Sequence, residues 1–269
     1  MDMTREIRIE EGKLKVVFEI QENGVVELKQ FDPAGRMDVK ERDRGEEDFY
    51  PITEVQITGR GTRGMHAYKH NVSGGATDFV YQSHEVLENE KRKRLVIHTA
   101  AEYGVKGEYH MQFYPNVAAV QVWTTLKNEG TEEIGLEYVS SFIYQGLCQS
   151  GEKPYFEKTS IYTPHNSWDC ESQWRKNDCR EINLSGMAVN GFNTPGFGMN
   201  RYCYGGHSSW STCEYLPMGI CEDEECKVTY FFQVEHSGQW LIEYGQVPEN
   251  GCMWLFPGQQ RRNMAGGKI

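Results

Sequence analysis

The chain predicts an all-β fold, a sandwich or barrel, on three observations. Apolar and polar residues alternate in run after run, and turn signals recur roughly every 8–12 residues. The i, i+3, i+4 spacing of an amphipathic helix is nearly absent.

In chain order, Leu14, Val16, Phe18 and Ile20 share one face of a strand, and Glu22-Asn23-Gly24 turns the chain into a second over Val25–Phe31. Residues 31–45 read as a polar loop. Ile52–Thr58 reads as a short strand, and Gly59–Gly75, rich in Gly and His, as a long loop of the kind in which function concentrates. Strands follow over Phe79–Leu87, Arg94–Ala101, Gly107–Tyr114 and Ala118–Lys127, separated by Asn89, Gly104 and Pro115-Asn116. Ile134–Tyr144 reads as the next strand. Alternation then weakens over residues 152–203, which we read as longer excursions on the same sheets, with Asn190-Gly191 and Pro195-Gly196 as turns. Val228, Tyr230, Phe232 and Val234 line one face of a strand, and Trp240, Ile242 and Tyr244 one face of another. Residues 235–238 between them read as a tight hairpin connection. No internal repeat is evident, so the expectation is one domain over residues 1–269.

Charge and composition narrow the partners. A formal net charge of −11 argues against nucleic acid, whose phosphates need a basic stripe. The basic run Lys91–Arg94 follows acids and reads as a solvated turn. No run of about 18 apolar residues is present to span a membrane. The opening MDMTREIRIEEGK lacks the apolar segment of a secretory signal, so the cytoplasm is the expected compartment. The eight cysteines are accordingly read as reduced thiols, mostly buried and chemically idle. Cys221 and Cys226 are separated by four acids that read as a solvated turn. Their spacing is not that of the common zinc motifs, although Cys203 or Cys213 would be the partners to recruit.

Sites for chemistry are few. His66 and His70 have the i, i+4 spacing of helical metal ligands, but the glycines around them deny the helix. His98 and His110 fall in strands and read as partly buried. No metal site and no cofactor are expected, and no nucleophile elbow, phosphate loop or dinucleotide motif occurs. Glycoside hydrolysis needs two carboxyls flanking the scissile bond, and no spacing here selects such a pair. The aromatic clusters say more. Trp168 and Trp174 lie among Asp169, Glu171, Arg175 and Asn177, and His207, Trp210 and His236 sit on nearby turns. Aromatic rings stack on the C–H faces of sugars while such polar groups take the hydroxyls. The same tryptophans equally suit bracing a loop.

Three blocks carry a family resemblance. Residues 107–144, GEYHMQFYPNVAAVQVWTTLKNEGTEEIGLEYVSSFIY, resemble a strand pair with an N-x-G turn and a VSS strand. Residues 162–174, YTPHNSWDCESQW, place Trp168 and Glu171 at W-x-x-E positions. Gly206-His207-Ser208-Ser209 and residues 234–240, VEHSGQW, resemble an HSGxW strand-turn-strand. Together the blocks, within residues 107–256, resemble the N-terminal domain of glycoside hydrolase family 36, the bacterial α-galactosidases. The resemblance implies a β-supersandwich of the galactose mutarotase-like type, and leaves open whether its last strands lie within this chain. It implies a non-catalytic domain, because the family's chemistry belongs to a following (β/α)8 barrel with a K-W-D-x-N motif that residues 1–269 do not contain. It further implies an α-galactoside oligosaccharide handled by the parent enzyme, packing against that enzyme's own barrel, and a homo-oligomer. Trp168, Glu171, Trp174, Arg175, His207 and Trp210 are the residues expected near sugar or at an interface. A stand-alone carbohydrate-binding module and a mutarotase-like epimerase, with His acid and Glu base, are the alternatives.

Overall fold

The computed structural model describes residues 5–33, 50–60, 75–185, 201–208, 210–247 and 252–260. Its strands form four antiparallel sheets, and among the described residues the only helical turns are two short 3-10 segments, Ala76–Asp78 and Tyr155–Glu157. The first sheet is the meander β1 (Arg5–Glu11), β2 (Leu14–Ile20) and β3 (Val26–Pro33). The second is the meander β5 (Val80–Asn89), β6 (Arg92–Ala100), β7 (Val105–Phe113) and β8 (Val120–Asn128). Their inner faces share one core that holds Val16, Phe18, Leu95, Ile97 and Met111, with Phe18 edge-on to Tyr109 at 5.8 Å between ring centroids.

A third sheet has the order β12 (Cys170–Asp178), β11 (Thr159–Ser167), β14 (Met218–Asp223), β15 (Val228–Gln233). The fourth runs β13 (Arg201–Gly206), β16 (Trp240–Val247), β17 (Cys252–Gln260), β9 (Leu136–Ser140), β4 (Val55–Ile57), with β10 (Tyr144–Leu147) also pairing β17. The largest buried side chains of this half are Trp240, Tyr144 and Tyr244, which join the same core as the meanders. A smaller core of Val55, Ile57, Phe79, Val105, Leu126 and Leu136 closes the end where β4 and β9 approach β7 and β8. Nothing among the described helices is long and apolar enough to cross a membrane.

The all-β expectation holds, and four local points add to or depart from the reading of the residues. The charged opening is a strand: Ile7 and Ile9 alternate with Arg and Glu, and β1 pairs β2 from Arg5↔Ile20 to Glu11↔Leu14. Residues 134–144 are not one strand. They break at residues 141–143, where Phe142 turns to meet the Phe31 ring at 5.4 Å. Residues 155–178 are more regular than their weak alternation suggests. They hold the β11–β12 hairpin, whose outer strand is exposed on both faces from Cys170 to Lys176 and so has no apolar face to signal it.

The fourth point concerns residues 228–244. β15 pairs β14, whereas β16 lies between β13 and β17, so residues 234–239 cross between sheets and close no hairpin. Val234 N–H bonds the Pro217 carbonyl at 2.6 Å, which continues β15 along the β14 side. Trp240, Ile242 and Tyr244 are fully buried, and a central position between two strands gives them that cover. Alternation identified both strands, but pairing is decided by what buries their faces.

Candidate functional site

The sequence-selected residues gather at one end of the third sheet. The β11–β12 turn carries Trp168 and Asp169, with Asp169 at φ 60° and Ser172 at φ 54° bending the start of β12. Beside it runs the connection from β13 to β14, residues 207–217. Asn166 holds the two together. Its backbone N–H bonds Glu214 O at 2.8 Å, its Nδ2 donates to Thr212 O at 2.6 Å, and its Oδ1 accepts from Ser172 N–H at 3.1 Å. Next to Asn166, His165 forms a bridge to Tyr215 with ring centroids 4.7 Å apart, and Leu216 N–H reaches Pro164 O at 3.0 Å.

The other side of the connection is fixed by the HSGQW segment. Trp240 is completely buried, and its Nε1–H donates to Ser211 O at 2.6 Å. Gln239 Nε2 donates to His207 O at 3.2 Å, and Ser208 Oγ closes a local turn on the N–H and carbonyl of Trp210. Trp240 faces Gly206 across the β13–β16 pair. A Cβ at Gly206 would lie 2.5 Å from Trp240 Nε1 and 2.9 Å from Ser211 O, so the glycine is what lets the indole reach the loop.

On this frame Trp168 is 82% exposed and Trp210 65%, so of the pair read as possible loop braces Trp168 does not bury its ring. A tryptophan that braces a loop buries its ring; these two present theirs to solvent. The bracing tryptophan is Trp240. Glu171 and His207 are exposed on the same two segments. Trp174 (40% exposed) and Arg175 lie further along β12, and strand alternation sends them to opposite faces. Trp174 is registered with Pro164, Arg175 with the buried Thr163. Trp168 and Glu171 thus stand at the β11–β12 turn and His207 and Trp210 on the connection that Asn166 ties to it, with Trp174 and Arg175 on diverging faces of β12. Sequence reading missed Asn166, although its place in HNSWD, just before the turn, is the signal for such a side-chain bridge.

The cysteines and acids divide less simply than expected. Cys148, Cys179 and Cys221 are buried, with Cys148 Sγ 3.8 Å from Cys221 Sγ, but Cys170, Cys203 and Cys213 are exposed. Burial pushes the Cys179 thiol up to about 12, which keeps it protonated and inert. The acids between Cys221 and Cys226 are not all solvated. Asp223 is fully buried and takes the Lys158 ammonium at 2.9 Å, an ion pair rather than a well-aligned hydrogen bond. Asp223 Oδ1 also accepts the N–H groups of Glu225 and Cys226, so the carboxylate folds its own turn. Among the described residues no group of His, Cys, Asp and Glu has the arrangement of a metal site. His66 and His70 lie outside the described residues.

No family model and no curated protein matches the chain. Solved structures do. The GH36 α-galactosidase AgaB from Geobacillus stearothermophilus aligns with 100% of this chain and 39% of its own, at 12% identity and a TM-score of 0.68. The galactosidase domain of the α-galactosidase-sucrose kinase AgaSK aligns with 99% of this chain and 39% of its own, at 13% identity and a TM-score of 0.69. The α-galactosidase from Lactobacillus brevis gives 100% and 38%, 11% identity and 0.67. This chain thus spans about two-fifths of the length of the structures it matches. At such identity the likeness is one of architecture: the chain has the fold of the matched portion of these α-galactosidases.

Proposed function

We propose that the chain is a non-catalytic domain of an α-galactosidase-type glycoside hydrolase, the counterpart of the family's N-terminal β-supersandwich. The observation that carries this reading is the match over the whole chain to a minor portion of several α-galactosidases. The three sequence blocks support it independently. In this reading the domain packs against a catalytic barrel in the cytoplasm, and the exposed rim of Trp168 and Trp210, with Glu171 and His207, forms a wall beside an α-galactoside oligosaccharide. Hydrolysis belongs to the barrel, whose aspartates residues 1–269 do not supply. The test is turnover of a nitrophenyl α-galactoside by the purified chain: none is expected, and turnover that survives repurification overturns the reading.

A second reading, an independent carbohydrate-binding module, draws on one observation: two tryptophan rings lie largely in solvent on a braced frame. Titration calorimetry with galactose and raffinose separates the two. Heat that disappears in W168A and W210A favours the module; no heat favours a wall that works only beside its barrel.

A further inference from the structure

The outer edge of the second sheet has the features of a strand that pairs with another chain. β5 is an edge strand, ten residues long, and exposed from Gln82 to Asn89. Edge strands are usually protected by Lys, Pro or a covering segment. β5 contains no Lys or Pro; its start is covered, Tyr81 N–H bonding Gly24 O at 2.8 Å, and its register shifts between Tyr81 and Ser83. From His84 onward it is regular. Val86 and Leu87 stand 47% and 41% exposed there.

The direction of its free backbone groups follows from the hairpin. Asn89 pairs Arg92 across a two-residue turn, so Asn89, Leu87 and Glu85 direct their amides and carbonyls to β6. His84, Val86 and Glu88 direct theirs outward, and none meets a backbone partner among the described residues. We propose that a second copy of this chain pairs antiparallel along β5, on a two-fold axis at Val86, making one eight-stranded sheet from two four-stranded ones. At this centre every outward group finds a partner, about six ladder hydrogen bonds in all. His84 then faces Glu88 of the second copy, twice by symmetry, and Val86 meets Val86 beside the buried Leu95 with which it is registered. A centre one residue earlier sets Glu85 against Glu85, and one two residues earlier sets His84 against His84. The self-complementary His–Glu pairing selects Val86. The inference rests on strand phase and the complementarity of His84 and Glu88 and is independent of the glycosidase reading.

Sedimentation velocity on the full chain across a concentration series tests it. A dimer is expected, V86P is expected to be monomeric because proline removes an outward donor that β6 does not use, and V86K serves the same purpose if proline disturbs the hairpin. H84E, which opposes two carboxylates twice, is expected to weaken the dimer about tenfold, and H84E/E88K to restore it. A chain that stays monomeric, or a dimer indifferent to both Val86 variants, overturns the interface. A dimer lost in V86P but unmoved by H84E overturns the register.

Discussion

The hold of Trp240 on the 207–217 connection gives a prediction that can be worked through in energy. W240F keeps an aromatic ring in the core but removes about three ring atoms and the N–H that meets Ser211 O at 2.6 Å. The void in a fully buried site costs about 1–2 kcal/mol, and the lost hydrogen bond about 1 kcal/mol. W240F should therefore be destabilised by about 2–3 kcal/mol. G206A adds a methyl 2.5 Å from the same Nε1, and overpacking of this kind costs about 1–3 kcal/mol. In the double variant the nitrogen that the methyl meets is gone, so part of the G206A cost should vanish. Urea denaturation of the wild type, both single variants and the double variant gives the coupling directly. At least about 1 kcal/mol of favourable coupling is expected; costs that add to within about 0.5 kcal/mol would show that the glycine does not make room for the indole.

Two further outcomes follow from buried charges. K158M strands the Asp223 carboxylate without its cation and should cost about 3–5 kcal/mol in urea denaturation, while K158M/D223N, which removes both charges and keeps an Oδ1 for the Glu225 and Cys226 N–H groups, should recover most of it; equal losses in both would contradict a paired burial. Burial opposes the Lys158 charge, but the Asp223 contact outweighs it and raises its pKa, so this stabilisation is complete below about pH 10.4 and fades only as pH climbs through the folded-state value. Asp32 behaves oppositely: burial raises its carboxyl, only partly countered by the Gln30 amide at 2.6 Å and the Lys15 charge, and its Oδ1 has no hydrogen-bond partner among the described residues. A raised carboxyl holds its proton more tightly when folded, so its contribution falls as pH rises from about 3.9 through the folded-state value. D32N should match or exceed the wild-type thermal midpoint at pH 7 and lose that relative advantage below about pH 4; a marked loss at pH 7 would count against the argument.

What the residues disclosed and what they withheld divide along a physical line. A strand that buries one face writes that face into the sequence, and so the runs at 14–20, 107–114, 118–127, 228–234 and 240–244 were legible. β12 buries almost nothing and left only the turn residues around Trp168 as its trace. β1 hid behind its charges because its apolar face is just Ile7 and Ile9. Pairing was harder than existence: the same alternation at 228–244 fits a hairpin and a crossover, and only the complete burial of Trp240, Ile242 and Tyr244 between two neighbours distinguishes them. Likewise Asp223 resembles its acidic neighbours in sequence, and becomes different only when folding brings Lys158 to it from a remote loop.

The candidate site shows the same division between what is local and what is assembled. Composition singles out the tryptophans as a group but gives no means of telling the brace from the exposed rings. Their exposures separate them: Trp240 is at 0%, whereas Trp168 and Trp210 are at 82% and 65%. The buried ring and Asn166 grip the 207–217 connection from opposite sides, one through Ser211 O and the other through Thr212 O. Adjacent carbonyls of one connection are thus anchored to the fourth sheet and to the third. Loops ordinarily have the freedom to hide an apolar ring, and exposing two rings on segments so held forgoes burial worth about 1.5–3 kcal/mol for each large side chain. Two hydrogen bonds, from Trp240 Nε1 and Asn166 Nδ2, thus hold in place the segments on which Trp168 and Trp210 keep their rings in solvent.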